Sequence, residues 1–204
     1  MTRFIRRLGS ECRELFFRAV YRIKIGKFKS LGRGVRIAMS ARFLNVQNIS
    51  LGNGVCIMDH CVVNASPKGR IVIGDDCYIG RSSAVVDAGG FLDLGNRIQL
   101  GSFCILTGQG GIKIGDAALF APRVSVIANQ HVFDDPNLPV RDQPEKCSGI
   151  TIGSGGWLGV GAVILDGVAI GDNVVVGANA VVTKDIASHS VAVGVPANVL
   201  RTIQ

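Results

Sequence analysis

Aliphatic residues recur along this chain at intervals of six. Near the C-terminus the series Ile152, Leu158, Ile164, Ile170, Val176 and Val182 runs without a break. Upstream the same step comes in triplets: Leu31, Ile37, Phe43; Leu51, Ile57, Val63; Ile73, Ile79, Val85; Leu94, Leu100, Leu106; and Ile114, Phe120, Val126. Between triplets the step lengthens to 8, 10, 9, 8 and then 26 residues, always after the third member. A period of six is neither the 3.6 of a helix nor the 2 of a half-buried strand, and a fixed period held this long marks a repeat architecture. Three hexads make one triangular coil, the extra residues enlarge one of its corners, and successive coils stack as parallel strands ~4.8 Å apart. About seven such coils form a prism roughly 30 Å long at that spacing.

The residue four places after the aliphatic is small or β-branched in most hexads: Val55, Cys61, Cys77, Ser83, Cys104, Ala118, Ala162, Ala180. A narrow triangular interior needs that alternation of large and small. It makes Cys61, Cys77 and Cys104 buried core thiols rather than reactive ones. Glycine follows the aliphatic directly at Gly153, Gly159, Gly171 and Gly177, but Ile164-Leu165 and Val182-Thr183 break that rule. The expected role of these glycines is to relieve strain at a sharp turn. Residues 31–204 are thus an all-β parallel β-helix.

Residues 3–24 carry a helical pattern instead. Phe4, Leu8, Cys12, Leu15, Phe16, Ala19 and Ile23 share one face, and arginines occupy the other. Residues 1–30 therefore read as a basic amphipathic helix leading into the first coil. Charge follows the same boundary. The chain is +7 overall, but residues 1–36 hold eleven basic and two acidic side chains, leaving the remainder at −2. Two roles fit this helix: capping the open first coil, or holding the protein at an anionic membrane face through residues 3–29. No nucleic-acid motif accompanies it. The six cysteines form no CxxC pair, the first 25 residues contain no uncharged apolar core of a signal peptide, and no 18-residue apolar run occurs. The expected compartment is the reducing cytoplasm.

One interruption stands apart. Residues 128–150 form a long excursion holding three of the six prolines and His131. A solenoid gains nothing structural from such a loop, and loops of this length are often functional. His131 is a candidate general base, because an imidazole accepts a proton near neutral pH. Asp134 or Asp135 could orient it. The other histidines, His60 and His189, read as surface residues. The three lie 71 and 58 residues apart, which does not suit the paired histidines of a zinc site, so no metal is expected. Cys147, the one thiol of the loop, has no evident base partner as a nucleophile.

The strings IGDAALFAPRVSVIANQHVFDD, IGSGGWLGVGAVILDGVAIGDNVVVGANAVVTKD and VGVPANVLR carry a resemblance. Together with the hexads they resemble the sugar O-acetyltransferases of the hexapeptide-repeat acyltransferase superfamily, and the spelling around His131 leans toward the polysaccharide-cluster members. The resemblance implies left-handed coiling, a homotrimer, and acetyl-CoA as co-substrate in a groove along the C-terminal coils. It implies His131 as the catalytic base toward a hydroxyl of a glycan or small-molecule acceptor in surface polysaccharide biosynthesis. On the donor side it implies backbone amides near Val160 and Ala178 against the pantetheine arm, with Thr183, Lys184 and Arg201 toward the nucleotide phosphates. Trp157 either walls the thioester site or caps the coil beneath the loop. The acceptor side departs from the best-known members: the positions of their polar contacts fall on Gly101 and Gln109 here. Asp87, Gln109 and Asn129 are the candidate acceptor contacts. A xenobiotic acetyltransferase and a non-catalytic scaffold are the competing expectations.

Overall fold

The computed structural model describes residues 27–203. The amphipathic segment at residues 3–24 lies outside them. The described chain winds into a triangular prism of parallel strands, three short strands to a coil. The first face stacks seven strands, from Ser30–Leu31 to Ala169–Ile170, and the third stacks seven, from Arg42–Leu44 to Val181–Val182. The second begins at Arg36–Ile37 and ends in two longer strands, Ser190–Gly194 and Ala197–Thr202, which pair antiparallel.

The six-residue period maps onto this stacking without a slip. On the first face Leu31, Leu51, Ile73, Leu94, Ile114, Ile152 and Ile170 are partners in turn. On the second, Ile37, Ile57, Ile79, Leu100, Phe120, Leu158 and Val176 align. On the third, Phe43, Val63, Val85, Leu106, Val126, Ile164 and Val182 align. From the second coil onward every one of these side chains is at most 3% exposed. Burying each contributes about 1.5–3 kcal/mol. The small slots between them are equally dry: Cys61, Cys77 and Cys104 are buried, and burial pushes all three thiols above their ordinary range.

The glycines after the aliphatics serve a different purpose from the one expected. Their backbone is not left-handed. A Cβ on Gly74 would come within 2.5 Å of the Gly95 carbonyl, and one on Gly115 within 2.7 Å of the Ser154 nitrogen. The next coil passes directly over these positions, so close approach of backbone excludes a side chain. Left-handed φ angles fall two residues later, where Asp76, Arg97 and Asn173 adopt them at 54°, 55° and 52°.

The first–second corner carries a side-chain ladder. Asn53 N–H donates to Asp75 Oδ1 at 2.7 Å, Asp75 N–H to Asn96 Oδ1 at 2.9 Å, and Asn96 N–H to Asp116 Oδ1 at 2.7 Å. The chain of bonds continues through Ser154 Oγ, Asp172 Oδ1 and Ser188 Oγ. Each link is two residues after an inward aliphatic and bonds the coil beside it. These bonds hold Asp116 below the usual carboxylate range, the Asn96 amide being the largest cause.

Candidate active site

The long loop leaves the prism at the third–first corner of the fifth coil. Its base is fixed by the coil below: Gly110 N–H donates to Ala128 O at 2.7 Å, and Ala128 N–H to Thr107 O at 2.8 Å. The outgoing arm Gln130–His131 then pairs antiparallel with the returning arm Glu145–Lys146, so that His131 faces Glu145. Their side chains meet, with His131 Nε2 3.3 Å from Glu145 Oε1. Gln109 on the underlying coil donates from Nε2 to the other oxygen, Glu145 Oε2, at 2.5 Å. The carboxylate thus stands beside Nε2 of the imidazole.

The distal part of the loop is ordered around Gln143, which is only 7% exposed. Its amide donates to the carbonyls of Asp135 and Leu138, both at 2.9 Å, and its oxygen accepts from Asp135 N–H at 3.1 Å. This corrects the expectation for the orienting carboxylate. Asp135 accepts from Asn137 N–H at 2.9 Å and closes a turn of the loop tip, while Glu145 is the acid that meets the imidazole. Cys147 keeps its proton: partial desolvation, then the carboxylates of Glu145 and Asp166, raise its thiol above the ordinary range.

Two of the three candidate acceptor contacts sit at the surface. Gln109 joins the imidazole through Glu145, and Asn129 is half-buried at the root of the outgoing arm. Asp87 is different. It is fully buried, and its Oδ1 accepts from Ser66 N–H at 2.8 Å and Gly89 N–H at 3.1 Å. It closes the corner of the third coil from inside, so it is a structural residue rather than an acceptor contact.

The donor-side candidates gather at the C-terminal end. Trp157 stands on the outer surface of the second face, 49% exposed, with Leu119 and Val175 as its neighbours on the flanking strands. That position is away from the corner where the loop is rooted. Val160 and Ala178 occupy the same slot of successive coils at the second–third corner, where Asn179 N–H donates to Val160 O at 2.8 Å. The N–H groups of Val160 and Ala178 themselves have no acceptor among the described residues, and both residues are exposed. Thr183 and Lys184 follow the last strand of the third face, and Arg201 lies on the terminal hairpin opposite Val191. All three are exposed, and neither Lys184 nor Arg201 has an acidic partner among the described residues. Among those residues no three His, Cys, Asp or Glu side chains converge as a metal site, and no helix is long and apolar enough to cross a membrane.

A stacked-hexad prism with a histidine-bearing hairpin loop defines the class of molecule. The chain matches the family profile described as the hexapeptide repeat of succinyl-transferase over residues 149–184. It is 33% identical over 157 residues to the probable acetyltransferase Rv3034c of Mycobacterium tuberculosis, covering 76% of this chain and 50% of that protein. It is 27% identical to the dTDP-4-amino-4,6-dideoxy-D-glucose acyltransferase of Escherichia coli, covering 83% and 80%. Among solved structures it is similar to AntD, an N-acyltransferase from Bacillus cereus in complex with dTDP-4-amino-4,6-dideoxyglucose and coenzyme A. The identity is 25%, the TM-score 0.64, and the coverage 92% of this chain and 89% of AntD. The hexapeptide-repeat profile covers part of the prism, and the curated relatives and AntD are named acetyltransferases or acyltransferases. The chain spans only half the length of the Mycobacterium relative.

Sequence reasoning missed Glu145 and Asp166. Glu145 lies in the one segment without a period, so nothing in the hexads points to it. Asp166 had a signal: Ile164-Leu165 breaks the rule that glycine follows the aliphatic, and the carboxylate comes next.

Proposed function

We propose that this protein transfers an acetyl group from acetyl-CoA to a sugar acceptor, with His131 as general base, in the assembly of a surface glycan. The observation that carries this reading is the Gln109–Glu145–His131 chain at the root of the loop. Glu145 stands at the Nε2 side of the imidazole, which leaves Nδ1 for the acceptor. Nδ1 then takes the proton of the acceptor as its oxygen attacks the thioester carbonyl. The new C–O bond forms, the C–S bond breaks, and the thiolate leaves and is protonated. A hydroxyl needs such a base because it is a poor nucleophile while it keeps its proton.

On the donor side, the unclaimed amides of Val160 and Ala178 suit a pantetheine arm carrying its own amide carbonyls. Lys184 and Arg201 are cations free to meet phosphate. A binding groove between copies, and hence a homotrimer, belongs to this reading, as does a cytoplasmic site of action. A second reading has an observation in its favour: the E. coli relative and AntD are both named for acyl transfer involving an amino sugar carried on dTDP. In that case the acceptor is a sugar amine, and His131 takes a proton from nitrogen.

Calorimetry with acetyl-CoA tests the donor first. One site per chain is expected, weakened by Lys184→Ala and untouched by His131→Ala; no binding would remove the reading. An acceptor panel of neutral glycosides and a dTDP-linked amino sugar then separates oxygen from nitrogen. On the active acceptor, His131→Ala should lose roughly 10²–10⁴-fold in kcat, the usual share of general-base catalysis. Unchanged turnover would exclude His131 as the base.

A further inference from the structure

The returning arm of the loop is short, and something must set its height over the prism. Three residues separate Glu145 from Gly149, where the chain rejoins the first face. At that point the Asp166 carboxylate, on the coil above, accepts three hydrogen bonds. Ser148 N–H reaches Oδ1 at 3.0 Å and Oδ2 at 2.8 Å, and Gly149 N–H reaches Oδ1 at 2.9 Å. Gly167 N–H donates back to Gly149 O at 2.9 Å, closing a two-way clamp. On the opposite side Gln109, from the coil below, holds Glu145 itself. The stem is therefore braced from both neighbouring coils, and the brace from above is charged. Hydrogen bonds to an ionised acceptor are about twice as strong as neutral ones.

We infer that Asp166 is a positioning residue for the candidate base: by clamping the Ser148 and Gly149 amides it fixes the returning arm so that Glu145 stands opposite His131. Asp166 touches neither the imidazole nor any reacting atom, and it acts through the arm. Its position in the fold suits this role. The third–first corner of the sixth coil has no extra residues, so its carboxylate meets the point where the long insertion ends. The ladder carboxylates at the first–second corner bond only the regular coil beside them, whereas Asp166 bonds the stem of the loop.

The inference rests on His131 acting as base, and the test has two arms so that each can fail alone. Crystal structures of wild type, Asp166→Ala and Asp166→Asn decide the positioning. The His131–Glu145 separation, 3.3 Å here, should open beyond hydrogen-bond reach in Asp166→Ala. In Asp166→Asn, which keeps the shape and one acceptor oxygen, it should open less. An unchanged separation in both variants overturns the proposal, and Asp166→Asn decides it if Asp166→Ala does not fold. Initial rates of thiol release from acetyl-CoA, with a methyl hexoside or dTDP-linked amino sugar as acceptor, form the second arm. Asp166→Ala should lower kcat about 10²-fold, the lower bound of a general base's share, with KM for acetyl-CoA unchanged. It should cost nothing further in a His131→Ala background, because residues acting as one unit are not additive. A loss that persists in that background would make Asp166 a structural residue only and overturn the proposal. An opened stem with full activity in both Asp166→Ala and His131→Ala would leave the clamp standing and remove His131 from the chemistry.

Discussion

The first–second and second–third corners are built from the same slot, two residues after an inward aliphatic, yet they treat their backbone differently. At the first the slot holds Asn53, Asp75, Asn96, Asp116, Ser154 and Asp172, and each amide is taken by the side chain of the next coil. At the second it holds Asp59, Arg81, Ser102, Pro122, Val160 and Ala178, and the amides of Ser102, Val160 and Ala178 find no acceptor among the described residues. A backbone donor left open at the surface costs little in water, but it is available to a ligand. Both corners bond neighbouring coils through the amide after the slot, as Asp76 N–H does to Asn53 O and Asn179 N–H to Val160 O; only the first adds a side-chain ladder that takes up the slot amides as well.

Proline substitutions separate the two corners. The largest effect is expected from Asn96→Pro, which removes the donor to Asp116 and the acceptor for the Asp75 amide. Both bonds are lost together, which makes this the heaviest single change to the ladder. Thermal melting should fall by several degrees, more than for any other single ladder position. A melting point within a degree of wild type would show that the ladder holds nothing. Ala178→Pro is the counterpart. Pro122 already occupies this slot, so the corner accepts the ring. Melting should stay where it is while the Kd for acetyl-CoA rises about tenfold, one hydrogen bond's worth. Equal affinity would remove Ala178 from the donor site.

Acid provides a smaller contrast. Asp116 is held below its ordinary range in the folded chain, chiefly by the Asn96 amide. Its contribution is present above the unfolded carboxylate value near 3.9 and lost as pH falls through the lower folded value. Melting curves between pH 5 and 2 should therefore drop less steeply for Asp116→Asn than for wild type. Parallel curves would show that the ladder does not report protonation. The smallest effect is expected from Asn53→Ala at the second coil, about 0.5–1 kcal/mol, readable as a shift of a few degrees at most.

The core was legible because the hexad period fixes which side chains point inward, and the spacing of Leu94, Leu100 and Leu106 is the same whether read in sequence or around the coil. His131 stood out as a candidate by its place after the fifth coil and by the motifs around it. Its partner did not. His131 and Glu145 are fourteen residues apart in a segment with no period, and only the pairing of the two loop arms brings them together. Asp87 misled for a related reason. A carboxylate at an enlarged corner reads as surface chemistry, but the amides of Ser66 and Gly89 turn it inward. The role of the glycines was misjudged because strain and close approach select the same residue, and only the neighbouring coil distinguishes them.

The terminal hairpin bears on self-association. A stack of parallel coils ends in raw strand edges, and another copy's first coil could in principle continue the stack into a fibre. Ala197–Thr202 reverses direction and pairs antiparallel with Ser190–Gly194, so the second face presents a strand of the wrong polarity to any incoming coil. With one of three faces blocked, a further coil cannot seat in register on this hairpin.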